Sequence, residues 1–184
     1  MPSETGGERL PGDPTSRELV ERFIRVDHAG EYGAVRIYQG QLAVLGDGPK
    51  AGMIEHMKAQ EEHHAATFGK LIAKRRVRPT ALLPLWHVAG YALGAVSAAL
   101  GERAAMACTV AVEEAIDEHY AAQHARLGDD EAELRGTIER FREQEIEHRD
   151  IGLENEAELA PAYRLISAVI KAGCKVAIAA SERV

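Results

Sequence analysis

Apolar residues recur along most of this chain at intervals of three and four, or at sums of those intervals. The first row runs Leu19, Phe23, Val26, Ala34, Tyr38, Leu42 and Leu45, which marks one face of an α-helix. Thr15-Ser-Arg-Glu18 ahead of it is a capping box, and Gly46-Asp-Gly-Pro49 stops it. The same pattern predicts a second helix over about 50–75 (Ile54, Met57, Phe68, Ile72). A third runs from Glu102 through Met106, Val110, Ile116, Tyr120 and Leu127 to the break at Gly128-Asp-Asp130. A fourth carries Leu134, Ile138, Phe141 and Ile151, and Pro161 suits the first position of a fifth that ends near Ser181. The expected class is all-α. Residues 1–16 show no periodicity and hold Pro2, Pro11 and Pro14, so a disordered leader is expected there, with 17–184 as a single domain. That leader has neither the pattern of a secretory signal nor that of a transit peptide, so a bacterial, cytoplasmic setting is expected.

Between the second and third helices the pattern changes. Residues 79–101 contain no Asp, Glu, Lys or Arg, and Lys70, Lys74, Arg75, Arg76 and Arg78 precede them. The length alone would permit a membrane span. Pro84, His87, Gly90, Gly94 and Ser97 interrupt it, however, and a single span would part the two helix pairs. The preferred reading is a crossover lying in the membrane interface, with the basic run on anionic headgroups and Leu82, Leu83 and Trp86 as contacts. A crossover helix buried in a bundle is the plainer alternative.

Each of the four amphipathic helices has a charge on its apolar face. Glu31 shares a face with Ala34 and Tyr38, and Glu113 falls between Val110 and Ile116. Glu61 and His64 lie between Met57 and Phe68, and Glu145 and His148 between Phe141 and Ile151. An unpaired buried carboxylate costs several kcal/mol, so four of them pointing inward demand a counter-charge. Glu-x-x-His occurs twice, 84 residues apart, and the midpoints of 31/61 and 113/145 fall at the two predicted turns. In an antiparallel hairpin, residues equidistant from the turn are level, here about 22 Å from it at 1.5 Å per residue. Two such hairpins gather Glu31, Glu61, His64, Glu113, Glu145 and His148 into one layer. One Glu from each of two helices and Glu-x-x-His from each of the other two form the ligand set of a two-metal, ferritin-like four-helix bundle. Oxygen and imidazole ligands suit iron or manganese.

Other polar residues invite plainer readings. Glu62, His63, Glu114 and Glu147 fall off that stripe and are expected in solvent, and His56 and His124 at the surface. Asp27 and Asp117, one turn from a proposed ligand, could orient His64 and His148 or make surface ion pairs. His28 and His119 flank the layer and could support it or donate protons. Tyr38 and Tyr120 are expected to pack.

Charge and composition narrow the field. With 22 Lys and Arg against 29 Asp and Glu, the formal charge is −7, which argues against a nucleic-acid binder. Two cysteines, Cys108 and Cys174, are too few for a disulfide scaffold or a cysteine zinc site.

Five blocks carry a resemblance to a known family. They are Arg25-Val-Asp-His-Ala-Gly-Glu-Tyr-Gly-Ala34, Arg76-Val-Arg-Pro-Thr80, Ala105-Met-Ala-Cys-Thr-Val-Ala-Val-Glu-Glu114, Glu147-His-Arg-Asp-Ile-Gly-Leu153 and Ala157-Glu-Leu-Ala-Pro-Ala-Tyr163. Together they resemble the demethoxyubiquinone hydroxylases of ubiquinone biosynthesis over about residues 20–184. The resemblance implies a ferritin-like di-iron monooxygenase that uses O2 to hydroxylate the ring of 5-demethoxyubiquinone. Its metal ligands fall on the six residues that the spacing selects. It further implies an external reductant such as NADH, a polyprenyl quinone substrate, homo-oligomers, and a lipid-binding accessory protein of the same pathway. The implied location is peripheral, on the cytoplasmic face of a bacterial inner membrane or the matrix side of the mitochondrial one. The alternative is a ferritin-like ferroxidase, which needs the same ligands but no uncharged crossover.

Overall fold

The structure, a computed structural model, describes residues 13–184. The expected leader lies mostly outside them. The described residues form six helices and no strand: α1 (Ser16–Leu45), α2 (Ala51–Arg75), α3 (Leu83–Ala99), α4 (Glu102–His124), α5 (Ala132–Glu154) and α6 (Tyr163–Ser181). The fold is a ferritin-like four-helix bundle of α1, α2, α4 and α5, with α3 as the crossover and α6 added at the end.

Local chemistry sets the boundaries. The capping box forms: the Glu18 amide donates to Thr15 Oγ1 at 3.1 Å, and the Thr15 amide donates to Glu18 Oε2 at 2.7 Å. Gly46 closes α1 with a φ of 58°, in the left-handed region that glycine tolerates. The last helix starts two residues later than expected. Ala160 is extended, as a residue before proline prefers, and Ala162, at φ 55°, turns the chain into α6.

Apolar residues fill the bundle in two clusters. Phe23, Ile24, Phe68, Leu134, Ile138 and Phe141 pack at one end, and Ile54, Met57, Met106 and Val110 at the other. Each such side chain contributes roughly 1.5–3 kcal/mol on burial. The charged layer lies between the clusters, sealed on both sides.

The crossover packs along α1 through its small residues. A Cβ on Gly94 would collide with the Ile37 carbonyl, one on Gly40 with the Tyr91 carbonyl, and one on Gly90 would sit 2.8 Å from the Gly33 carbonyl. The opposite side of α3 is apolar and open, with Val88 65% and Val96 60% exposed. Leu82, Leu83 and Trp86 do not carry that open face. All three are half-buried, and Trp86 donates its indole N–H to Ser181 Oγ at 3.0 Å, tying α3 to α6. Leu93 of α3 packs with Ile166 and Ile170 of α6 over Ile37 and Cys108, so the two added helices share one side of the bundle. None of the helices described is long and apolar enough to cross a membrane.

Candidate metal centre

Helix periodicity brings the six residues together. Glu31, Glu61, His64, Glu113, Glu145 and His148 are all buried. They form two overlapping groups. Glu31, Glu61, His64 and Glu145 each offer a ligand atom within 4.8 Å of the others, and so do Glu61, Glu113, Glu145 and His148. Glu61 and Glu145 belong to both groups. Each group then keeps one carboxylate and one imidazole of its own.

The donor set is unsatisfied by the protein itself. Both oxygens of Glu61 and of Glu145, and Glu113 Oε2, have no well-formed hydrogen bond. Imidazole nitrogens stand near them, with His64 Nδ1 3.1 Å from Glu145 Oε1 and His148 Nδ1 3.0 Å from Glu61 Oε1. Lone pairs buried this way are costly unless a cation takes them. Protonation reflects the same crowding. Burial, then the charges of Glu61 and Glu145, hold the Glu31 carboxyl well above its usual range. Burial and the same two neighbours raise Glu113. At Glu61 burial acts upward, but His148 and His64 outweigh it and hold the carboxyl low. Burial would lower His148, but Glu145 and Glu61 outweigh it and push the imidazole up to about 10. His64 is raised in the same way, by Glu145, Glu31 and Glu61 against its burial.

Residues around the layer fix its members. Tyr38 Oη donates to Glu113 Oε1 at 2.6 Å, and Tyr120 Oη donates to Glu31 Oε1. These tyrosines therefore do more than pack. Each lies seven residues past the glutamate of its own helix and bonds the glutamate of the other, so α1 and α4 exchange reciprocal contacts. Behind the rings, His64 Nε2 lies 2.7 Å from Gln144 Oε1, and His148 Nε2 lies 2.6 Å from Gln60 Oε1.

Asp27 and Asp117 occupy other positions than orienting the two rings. Asp27 is buried and accepts from Gln123 Nε2 at 2.7 Å, with His119 Nε2 3.3 Å away. Asp117 accepts from Arg142 at 2.6 Å in a half-exposed ion pair. His119 therefore sits with Asp27 outside the six-residue layer, and His28 is half-buried against Gly69 of α2. Glu62, His63, Glu147 and His56 are exposed. Glu114 pairs with Lys171 and His124 with Glu139. The glutamines gave no signal by periodicity alone. The repeat was the available clue, because a glutamine stands directly before both Glu-x-x-His motifs.

Known proteins share this sequence over nearly its whole length. Residues 18–181 match the family model described as Ubiquinone biosynthesis protein COQ7. The chain is 63% identical to the 3-demethoxyubiquinol 3-hydroxylase of Rhodospirillum rubrum, over 98% of this chain and 86% of that protein. It is 54% identical to the mitochondrial NADPH-dependent 3-demethoxyubiquinone 3-hydroxylase of Homo sapiens, covering 93% of this chain and 81% of the human protein. It is also 40% identical to the mitochondrial 5-demethoxyubiquinone hydroxylase of Saccharomyces cerevisiae, covering 90% and 78%.

Proposed function

The chain belongs to the ubiquinone biosynthesis protein COQ7 family, and from that premise we propose that it is a di-iron monooxygenase hydroxylating the ring of 5-demethoxyubiquinone. The observation that carries this reading is the pair of buried groups sharing Glu61 and Glu145. Glu31 and His64 would complete the site of one ion, and Glu113 and His148 that of the other. Two iron ions held there would supply the activation of O2 that ring hydroxylation requires.

The chain's own residues account for the rest. The hydrogen bonds from Tyr38 and Tyr120 hold Glu113 and Glu31 toward the layer and leave Glu61 and Glu145 without such restraint. The two shared carboxylates would therefore be the ones with the most freedom to adjust to the ions they hold. The apolar clusters on either side keep bulk water out. Reducing equivalents come from outside the layer, and a reduced nicotinamide dinucleotide is the donor we favour, as the human relative is named NADPH-dependent.

The exposed faces of α3 and α6 suit peripheral attachment to a membrane, where a polyprenyl tail would remain while the quinone head reaches the bundle. The basic run before α3 would meet anionic headgroups. We place the protein on the cytoplasmic side of a bacterial inner membrane, or on the matrix side in a mitochondrion, as a homo-oligomer with a lipid-binding accessory protein.

The test is conversion of demethoxyubiquinone by iron-reconstituted protein with NADH or NADPH, the product identified by mass. One oxygen atom is added to the ring in the expected result. Glu61→Ala and Glu145→Ala should each abolish both iron binding and conversion. Full conversion by either variant would sink the assignment.

A further inference from the structure

The two imidazoles of the buried layer are held from behind in a crossed arrangement. Gln144 of α5 meets His64 of α2, and Gln60 of α2 meets His148 of α5, at 2.7 and 2.6 Å. These are the hydrogen bonds of both Nε2 atoms among the described residues. An amide oxygen only accepts, so each Nε2 carries its proton toward the glutamine. Nδ1 is then turned to the carboxylates, 3.1 Å from Glu145 for His64 and 3.0 Å from Glu61 for His148. The repeated unit is thus Gln-Glu-x-x-His, not Glu-x-x-His alone. The antiparallel register of α2 and α5 sets residue 60 level with 148, and 64 with 144. Neither Nε2 is bonded within its own hairpin, so these two bonds form only when the hairpins dock. Phe141 assists from α5, stacking on the His64 ring at 3.9 Å between centroids.

We propose that Gln60 and Gln144 are positioning residues of the metal centre. They fix the tautomer and ring plane of His148 and His64, and they do so without adding charge. This rests on the di-iron reading above. A carboxylate in the same place would draw the Nε2 proton, make the imidazole a stronger donor and favour the more oxidised metal. A neutral amide gives the same orientation and leaves the ions easier to reduce, which suits a centre that must be returned to the ferrous state by an outside donor.

The experiment uses the full chain, with Fe(II) titrated anaerobically and Co(II) as a visible-absorption probe. Gln60→Leu and Gln144→Leu should each weaken binding at one of the two sites by about 10–100-fold. They should also alter the Co(II) spectrum, while the metal-free protein, deprived of one buried acceptor, melts somewhat lower but still unfolds cooperatively. Gln60→Glu and Gln144→Glu should recover the affinity and lower the reduction midpoint of the iron-loaded protein. Leucine variants with wild-type affinity and spectrum would overturn the assignment, even if the wild type binds iron as expected. If the leucine variants do not fold, the glutamate variants decide it: an unchanged midpoint overturns the proposal. A wild type that binds neither metal would instead bring down the metal reading itself.

Discussion

At the scale of single residues, the decisive fact is the cost of the charges. Several kcal/mol per uncompensated buried ion cannot be absorbed four times by a domain whose whole stability is about 5–15 kcal/mol. The metal-free protein therefore retains protons, on His64 and His148 and on the raised carboxyls of Glu31 and Glu113. The folded state binds these protons more tightly than the unfolded chain. For His148, the stability this lends is whole below the ordinary histidine value near 6.5 and is lost as pH climbs through about 10. Glu31 and Glu113, also raised, act in the same direction, while the lowered Glu61 makes its contribution above the ordinary carboxylate range and is constant in this window. Metal binding displaces the protons, so affinity moves the opposite way. The melting temperature of metal-free protein should therefore fall from pH 6.5 to 9, and the rise on adding Co(II) should grow over the same range. Calorimetry with and without the metal checks both slopes. All six candidate ligands were legible in the sequence because a charge inside an apolar stripe is anomalous. Tyr38, Tyr120, Gln60 and Gln144 were not, because an aromatic or a neutral amide on an inner face is ordinary. What they bond depends on cross-helix register, which one helix's pattern does not contain.

At the scale of elements, the two hairpins were readable from symmetry about their turns, and α3 shows what such reading leaves out. Gly90, Gly94 and Ser97 look like interruptions in an uncharged segment. In the structure all three are buried, and Gly90 and Gly94 are the places where α3 meets α1 too closely for a side chain. A close approach is a relation between two helices, so the segment alone identifies the small residues and not their use. Gly94→Ala would drive a methyl into the Ile37 carbonyl. Backbone is the obstacle there, not a flexible side-chain end, so α3 must move. The expected cost is about 1–3 kcal/mol, read as a lower denaturation midpoint. Gly30→Ala, whose added methyl meets nothing within 4 Å, should instead raise stability by about 0.5–1 kcal/mol, as alanine does over glycine inside a helix. Opposite signs for the two glycines would separate close packing from helix propensity.

At the scale of the whole molecule, the polar layer is at the centre and the exposed apolar surface at one side, on α3 and α6. Val88, Val96, Leu165, Val169 and Val176 are each at least 60% exposed, and they belong neither to the buried layer nor to the two clusters that enclose it. Attachment and metal binding should therefore be separable. Replacing Val88, Val96, Val169 and Val176 by Ser should reduce co-sedimentation with anionic vesicles several-fold, while bound iron and melting temperature stay near wild type. Trp86 should behave differently. Its indole N–H is engaged by Ser181 and its ring lies between α3 and α6, so Trp86→Ser should lower the melting temperature as well as the attachment. The contrast matters because uncharged length marks an apolar segment but not which of its faces is open. That depends on the α1 surface where Gly90 and Gly94 seat. If the four valine replacements leave vesicle binding intact, the exposed faces serve contact between protein chains instead. The same variants would then change the molecular mass in solution, measured by light scattering without lipid.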